Sequence, residues 1–210
     1  MTAVAIVTLP GFNEIDSFLA LSLLNRAEGV TAFLAGPARE VVSMNDVPTV
    51  VSAGFAEIAE ASAVVMGSGQ RSIEFAADTP FLTRFALDPS RQIISSQCSG
   101  ALILAKLGLL EGHRVSTDDK TRGRIADMGF ETLEAPLSVS GNIATAGGCL
   151  SAQYLATWLL LRLTNETETR HALSYVVPVG HAEAYTDGLI DRAKAADPEG
   201  LRRRAALGLG

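Results

Sequence analysis

Cys98 stands in SSQCSG (Ser95–Gly100), where an apolar, β-branched run (RQII) meets a helical pattern (ALILAKLGLL). A cysteine attacks carbon or peroxide as the thiolate. A strand-to-helix turn would set its sulfur near unpaired N–H groups and the positive end of a helix dipole, which favour that form. Ser96 and Gly100 leave room for a tight turn with the side chain pointing outward. This is the thiol counterpart of the G-x-S-x-G elbow of hydrolases. The competing reading is an inert cysteine packed in a core, where cysteine is common.

A nucleophile needs a proton partner. The three histidines, His113, His171 and His181, all lie far from Cys98 in sequence. His113 follows a turn, His171 falls in mid-helix, and His181 lies in the small-residue segment VPVGHAEAY. A Cys–His pair is therefore weakly supported. Carboxylates offer another route. GFNEIDSF places Glu14 and Asp16 just after the first apolar run. An acid beside an anionic sulfur would have its pKa raised and would hold a proton at neutral pH. Glu14 suits a helix first turn. Asp16 sits among Ile15, Phe18 and Leu19, where a surface role is less natural.

MGSGQRS (Met66–Ser72) supplies glycine-flanked backbone N–H groups able to hold an oxyanion. It departs from a dinucleotide fingerprint at the third glycine and lacks the GK[ST] of a phosphate loop, so no nucleotide cofactor is expected. Cys98 and Cys149 form no CxxC pair, and His113, Asp118 and Asp119 have no recognised ligand spacing, so no metal is expected. Cys149 is expected to pack at the start of a helix rather than to react.

The elements that must position these residues follow from periodicity. Apolar runs at Ala3–Pro10, Gly29–Gly36, Val47–Ala53, Ser62–Gly69, Arg91–Gln97 and His113–Thr117 read as strands. Helices are expected over Asn13–Ala27, Thr79–Asp88 (opened by Thr79), Ser99–Leu110, Asp118–Gly129 and the nearly all-apolar Cys149–Thr164. LSVSGNIATAGG reads as a β-hairpin with Gly141-Asn142 at its turn. Strands alternating with helices imply right-handed βαβ units, hence one α/β domain with a mostly parallel sheet and helices on both faces. In such sheets ligands bind beyond the carboxyl ends of the strands, where Asn13–Asp16, Gly67–Gly69 and Gln97–Ser99 all fall.

The 210 residues are 48% hydrophobic and 19% charged, ample for one core. A net charge of −6 argues against a nucleic-acid surface, and Arg202–Arg204 read as a solvated tail. Tyr154–Leu163 is too short for a membrane span and contains Arg162. The opening MTAVAIVTLPGF lacks a basic start, so no signal peptide is expected. The protein is expected to be cytoplasmic, with free thiols.

Together the motifs resemble the ThiJ/PfpI superfamily, whose fold is related to class I glutamine amidotransferases, over about Val4 to Tyr175. SSQCSGALILAKLGLLEGHRVST is similar to its cysteine turn and the helix after it. LPGFNEID is similar to its opening segment, and SGNIATAGG to the strand that ends in glycines before the long helix. The resemblance implies a flavodoxin-like three-layer sandwich, spanning residues 1–190 as a single domain, with 191–210 a polar tail, helical or partly ordered. It implies Cys98 as nucleophile and Asp16 as the acid in contact with it. Backbone N–H groups of Gly67, Ser68 and Ser99 would hold negative charge, and Gly69, Tyr175 and His181 would line the pocket. It also implies a homodimer and no cofactor. The acidic start and the hydroxyl residue after the cysteine are most similar to isonitrile hydratases, which add water to R–N≡C to give an N-substituted formamide. A glutathione-independent glyoxalase and a non-enzymatic, redox-responsive stress protein are the alternatives.

Three departures stand out. Ser99 replaces the histidine that follows the cysteine in proteases of this fold. Ser116-Thr117-Asp118-Asp119 replaces the Thr-Thr-His-Trp common in isonitrile hydratases. Gly67-Ser68-Gly69 replaces a Gly-Gly pair, leaving the backbone donors in place. The chain ends with no helix-turn-helix segment, so a free-standing protein is expected.

Overall fold

The computed structural model describes residues 1–201 of the chain. Strand β1 (Thr2–Val7) is fully buried from Val4 to Val7. Its side chains alternate between two apolar clusters, Val4 and Ile6 in one, Ala5 and Val7 in the other. A strand apolar on both faces belongs at the centre of a covered parallel sheet. Helix α1 (Glu14–Leu24) follows, with the Asn13 side chain accepting the Ile15 N–H at its start.

The chain continues through β2 (Val30–Ala35), β3 (Glu40–Val42), β4 (Pro48–Val50), α2 (Phe55–Glu60) and β5 (Ala63–Met66). Helices α3 (Ser72–Ala77) and α4 (Thr79–Leu82), β6 (Ile93–Gln97), α5 (Gly100–Lys106) and α6 (Asp119–Asp127) come next. Strands β7 (Leu137–Ser140) and β8 (Ile143–Ala146) then lead through a 3-10 turn (Cys149–Ser151) to α7 (Ala152–Leu163), α8 (Glu166–Ser174) and α9 (Ala182–Ala196).

The main sheet has the order β2-β1-β5-β6-β8-β7. Every neighbouring pair is parallel except β7–β8, the expected hairpin, where Ser140 faces Ile143 across Gly141-Asn142. The five parallel strands, taken in chain order, run 2-1-3-4-5, the flavodoxin-like arrangement. Helices α1, α7, α8 and α9 bury their apolar residues in the cluster on one face, α2, α4, α5 and α6 in the cluster on the other. The strand order reverses between β1 and β5, which opens a crevice at their carboxyl ends beside β6.

Some expectations are corrected. Within Val47–Ala53 only Pro48–Val50 is a strand, and it pairs with β3 in a separate two-stranded sheet. His113–Thr117 makes a single bridge, Val115 to Thr132, and no strand. Helix α4 is one turn, capped by Asp78 accepting the Phe81 N–H, so Thr79 is its first helical residue and not its cap. Helix α9 runs unbroken through residue 190, with Ile190 and Ala193 buried in the same cluster. Arg202–Arg204 lie outside the described residues. No helix among the described residues is long and apolar enough to cross a membrane.

Candidate active site

Cys98 follows the last residue of β6 and has φ 46°, a left-handed conformation that only one other non-glycine residue, Asp46, shares among the described residues. Such a conformation costs about 1–3 kcal/mol and persists where the surroundings enforce it. Here the Cys98 N–H donates to Ala146 O at 2.7 Å, and the buried Thr117 hydroxyl donates to Cys98 O at 2.9 Å. Gly100 completes the elbow: a Cβ there would stand 2.3 Å from Met66 O and 2.8 Å from Gly67 O. The small residue foreseen at 100 is thus required by contact with the end of β5.

Cys98 is buried yet lies on the wall of a cavity of about 940 Å³, with Asn13, Ser68, Gly69, Ser99 and Thr117. Asp16 lies behind this wall, 1% exposed. One carboxylate oxygen of Asp16 and the sulfurs of Cys98 and Cys149 all lie within 4.8 Å of one another. Ser68 Oγ donates to Asp16 Oδ2, while Oδ1 is buried without a protein partner. Burial pushes the Asp16 carboxyl above its ordinary value, against hydrogen bonds from Ser68, Cys98 and Cys149. Glu14 is drawn away to Ser43 and Asn45. Those hydrogen bonds hold it below its ordinary value, although partial burial opposes them.

The thiol corrects an expectation. Burial first, and then the negative charge of Asp16, push Cys98 above its ordinary value. The elbow therefore does not by itself produce a free thiolate. Two buried acids in contact disfavour double ionisation, so an ionised Cys98 implies a proton on Asp16.

The expected backbone donors divide. Gly67 N–H donates to Val7 O at 3.1 Å, continuing the sheet, so it is not available to a ligand. Among the described residues the N–H groups of Ser68 and Ser99 have no protein acceptor. The Ser99 hydroxyl braces the turn, accepting the Gly69 N–H at 3.3 Å and lying 2.9 Å from Ser72 Oγ. Tyr175 and His181 are absent from the cavity wall. Tyr175 lies under the Arg26 guanidinium, and His181 precedes α9, exposed. No histidine lines the cavity.

Cys149 does pack where the long helix begins, and that position also brings it to the site. Its sulfur lines the cavity and accepts a hydrogen bond from Asn13 Nδ2 at 3.2 Å. Gln97 Nε2, at the end of β6, donates to Gly148 O at 3.0 Å and ties the two cysteine turns together. Among the described residues, Asp16, Cys98 and Cys149 are also the group whose donor types and closeness could hold a metal ion. The departures at 117–119 fall on the same cavity wall, with Asp118 capping α6 by accepting the Lys120 and Thr121 N–H groups.

A sequence model of the DJ-1/PfpI family matches residues 2–161. The chain belongs to the DJ-1/PfpI family. Isonitrile hydratase of Pseudomonas putida is 27% identical over 116 residues, covering 55% of this chain and 50% of that enzyme. The chain thus matches about half the length of that relative. DJ-1 of Schizosaccharomyces pombe superposes with a TM-score of 0.73 at 19% identity, covering 84% of this chain and 100% of that one. A ThiJ/PfpI protein from Pseudomonas syringae gives 0.75 at 20% identity, over 95% and 90% of the two chains. These structural likenesses establish the DJ-1/PfpI fold.

Proposed function

We propose that this DJ-1/PfpI protein is a cysteine-dependent enzyme for small electrophilic carbon, adding water to an isonitrile to give an N-substituted formamide. The observation that carries this reading is the closeness of Cys98 Sγ to an Asp16 carboxyl with one unpartnered oxygen, at a cavity wall without histidine. The terminal carbon of R–N≡C needs a proton and a nucleophile. Asp16 supplies the proton through the Ser68 hydroxyl, which both touches Asp16 and faces the cavity. Cys98 sulfur forms the C–S bond, giving a thioimidate, R–N=CH–S. Water adds to that carbon, Asp16 taking a water proton and the nitrogen gaining one. The C–S bond then breaks, releasing R–NH–CHO and the sulfur. The N–H groups of Ser68 and Ser99 hold negative charge as it develops on oxygen.

The reading extends to a cytoplasmic protein, a single domain and a homodimer. Light scattering in solution tests the last and should give twice the 22.0 kDa of the chain. The chemical test is formamide production from an alkyl isonitrile. Wild type should form it and Cys98→Ala should fall to the rate in buffer. A Cys98→Ala protein as fast as wild type removes the mechanism. Parallel incubation with methylglyoxal separates the glyoxalase alternative, because hydroxy acid without formamide would reassign the substrate.

A further inference from the structure

We propose that Cys98 and Cys149 form a peroxide-reducing pair, in which a hydroperoxide oxidises Cys98 and Cys149 resolves the product as a disulfide. The inference shares with the proposed function only the premise that Cys98 is the reactive thiol. The fold makes the two sulfurs neighbours although 51 positions separate them in sequence. Strands β6 and β8 are paired, with Gln97 opposite Ala146, and each cysteine lies in the turn that follows its strand. Both sulfurs face one cavity and lie within 4.8 Å of each other. A disulfide needs about 2.05 Å, so the gap to close is under about 3 Å. The Asn13 amide donates to Cys149 Sγ, a contact that favours the attacking anion. Asp16 holds a carboxylate oxygen within 4.8 Å of both sulfurs, and its Oδ1 is buried without a protein partner, so this carboxyl is the group placed to take up the thiol proton.

Cys98 sulfur attacks the distal oxygen of R–O–O–H. The O–O bond breaks, an S–O bond forms, and the thiol proton passes by way of Asp16 to the leaving oxygen as R–OH. Cys149 sulfur then attacks the sulfenic sulfur. The S–O bond breaks, the S–S bond forms, and hydroxide leaves with the Cys149 proton as water. Two thiols give up two electrons and the peroxide takes them, and an external dithiol restores the pair by exchange. Without Cys149, the sulfenic acid has no partner and further peroxide carries it to sulfinic acid.

The test is intact-mass and peptide mass spectrometry of the full chain after brief exposure to a molar excess of hydrogen peroxide, since sulfinic acid consumes one peroxide more than sulfenic acid does. Wild type should lose two hydrogens, yield a Cys98–Cys149 cross-linked peptide, and return to its starting mass with dithiothreitol. Cys149→Ser should instead gain two oxygens at Cys98, which dithiothreitol does not remove. Wild-type protein that gains oxygen at Cys98 with Cys149 still free overturns the pair, while leaving Cys98 reactive enough for isonitrile hydration. Wild-type protein unchanged at both cysteines also overturns it, and the formamide assay then decides the hydratase reading separately. The wild-type peptide map is decisive by itself should Cys149→Ser fail to fold.

Discussion

A carboxyl group and a thiol within contact, both buried, hold their protons jointly. Burial raises Asp16, and burial with the charge of Asp16 raises Cys98, so the folded protein keeps a proton that the unfolded chain releases. For Asp16 the sign is definite. Its raised folded value makes stability fall as pH climbs from the unfolded carboxyl value, about 3.9, through the folded one. Asp16→Asn carries no such proton. Urea midpoints at pH 4 and pH 8 should therefore show wild type losing stability relative to Asp16→Asn as pH rises. The same variant should lose about 10²–10⁴-fold in formamide turnover, the usual worth of a positioned acid. Equal pH dependence in the two proteins would mean that Asp16 is not the group holding the proton. Local pattern alone, a small-residue elbow and an acid among apolar residues, left Cys98 and Asp16 open; the family resemblance paired them, and the fold brings the two groups within 4.8 Å. The closeness of Cys149 to Cys98 was not legible, because it comes from the pairing of β6 with β8, which no local pattern encodes. Tyr175 and His181 lie off the cavity wall, one after α8 and the other before α9, and where those helices pack is set by the tertiary fold.

At the scale of elements, the elbow depends on α5 starting against the end of β5. Gly100→Ala would push a methyl group into two backbone carbonyls, neither of which can swing aside as a side chain does. It should cost about 1–3 kcal/mol, as overpacking does, and slow alkylation of Cys98 by displacing the sulfur. Gly123→Ala is the contrast. Gly123 is exposed within α6, and a Cβ there meets nothing within 4 Å. Removing that glycine should stabilise the protein by about 0.4–1 kcal/mol and leave Cys98 alkylation unchanged. Urea denaturation of both variants checks the opposite signs. The long elements were legible because their periodicity extends over several turns or a full strand. Helices α2 and α3, six residues each, are too short for a helical period to declare itself. The β3 strand, three residues long, becomes a strand only by pairing with β4.

Across the whole molecule, alternation of strands and helices was enough to foresee a mostly parallel sheet covered on both faces, but not the order of its strands. That order is what gathers the ends of β1, β5, β6 and β8 around the cavity. The other side of the molecule is fastened by different means. Helix α9 packs on α7, and the residue after it, Asp197, accepts from Trp158 Nε1 and Arg162 Nη1, both at 2.9 Å. Trp158 is fully buried, and the Arg162–Asp197 pair is 15% and 7% exposed. Asp197→Ala takes the acceptor from the buried indole N–H and one of several partners from Arg162, which keeps Gly141 O and Asn142 Oδ1, so it should cost about 1–3 kcal/mol. Asp197→Asn keeps an acceptor for the indole N–H and should cost less. Hydrogen exchange should rise across residues 182–196 in the alanine variant, since these residues lose the contact that ends their helix. Asp197 is absent from the cavity wall, so Cys98 alkylation under folding conditions should match wild type. An altered alkylation rate with unchanged exchange in α9 would show that the fastening acts through the sheet on the site and not on its own helix.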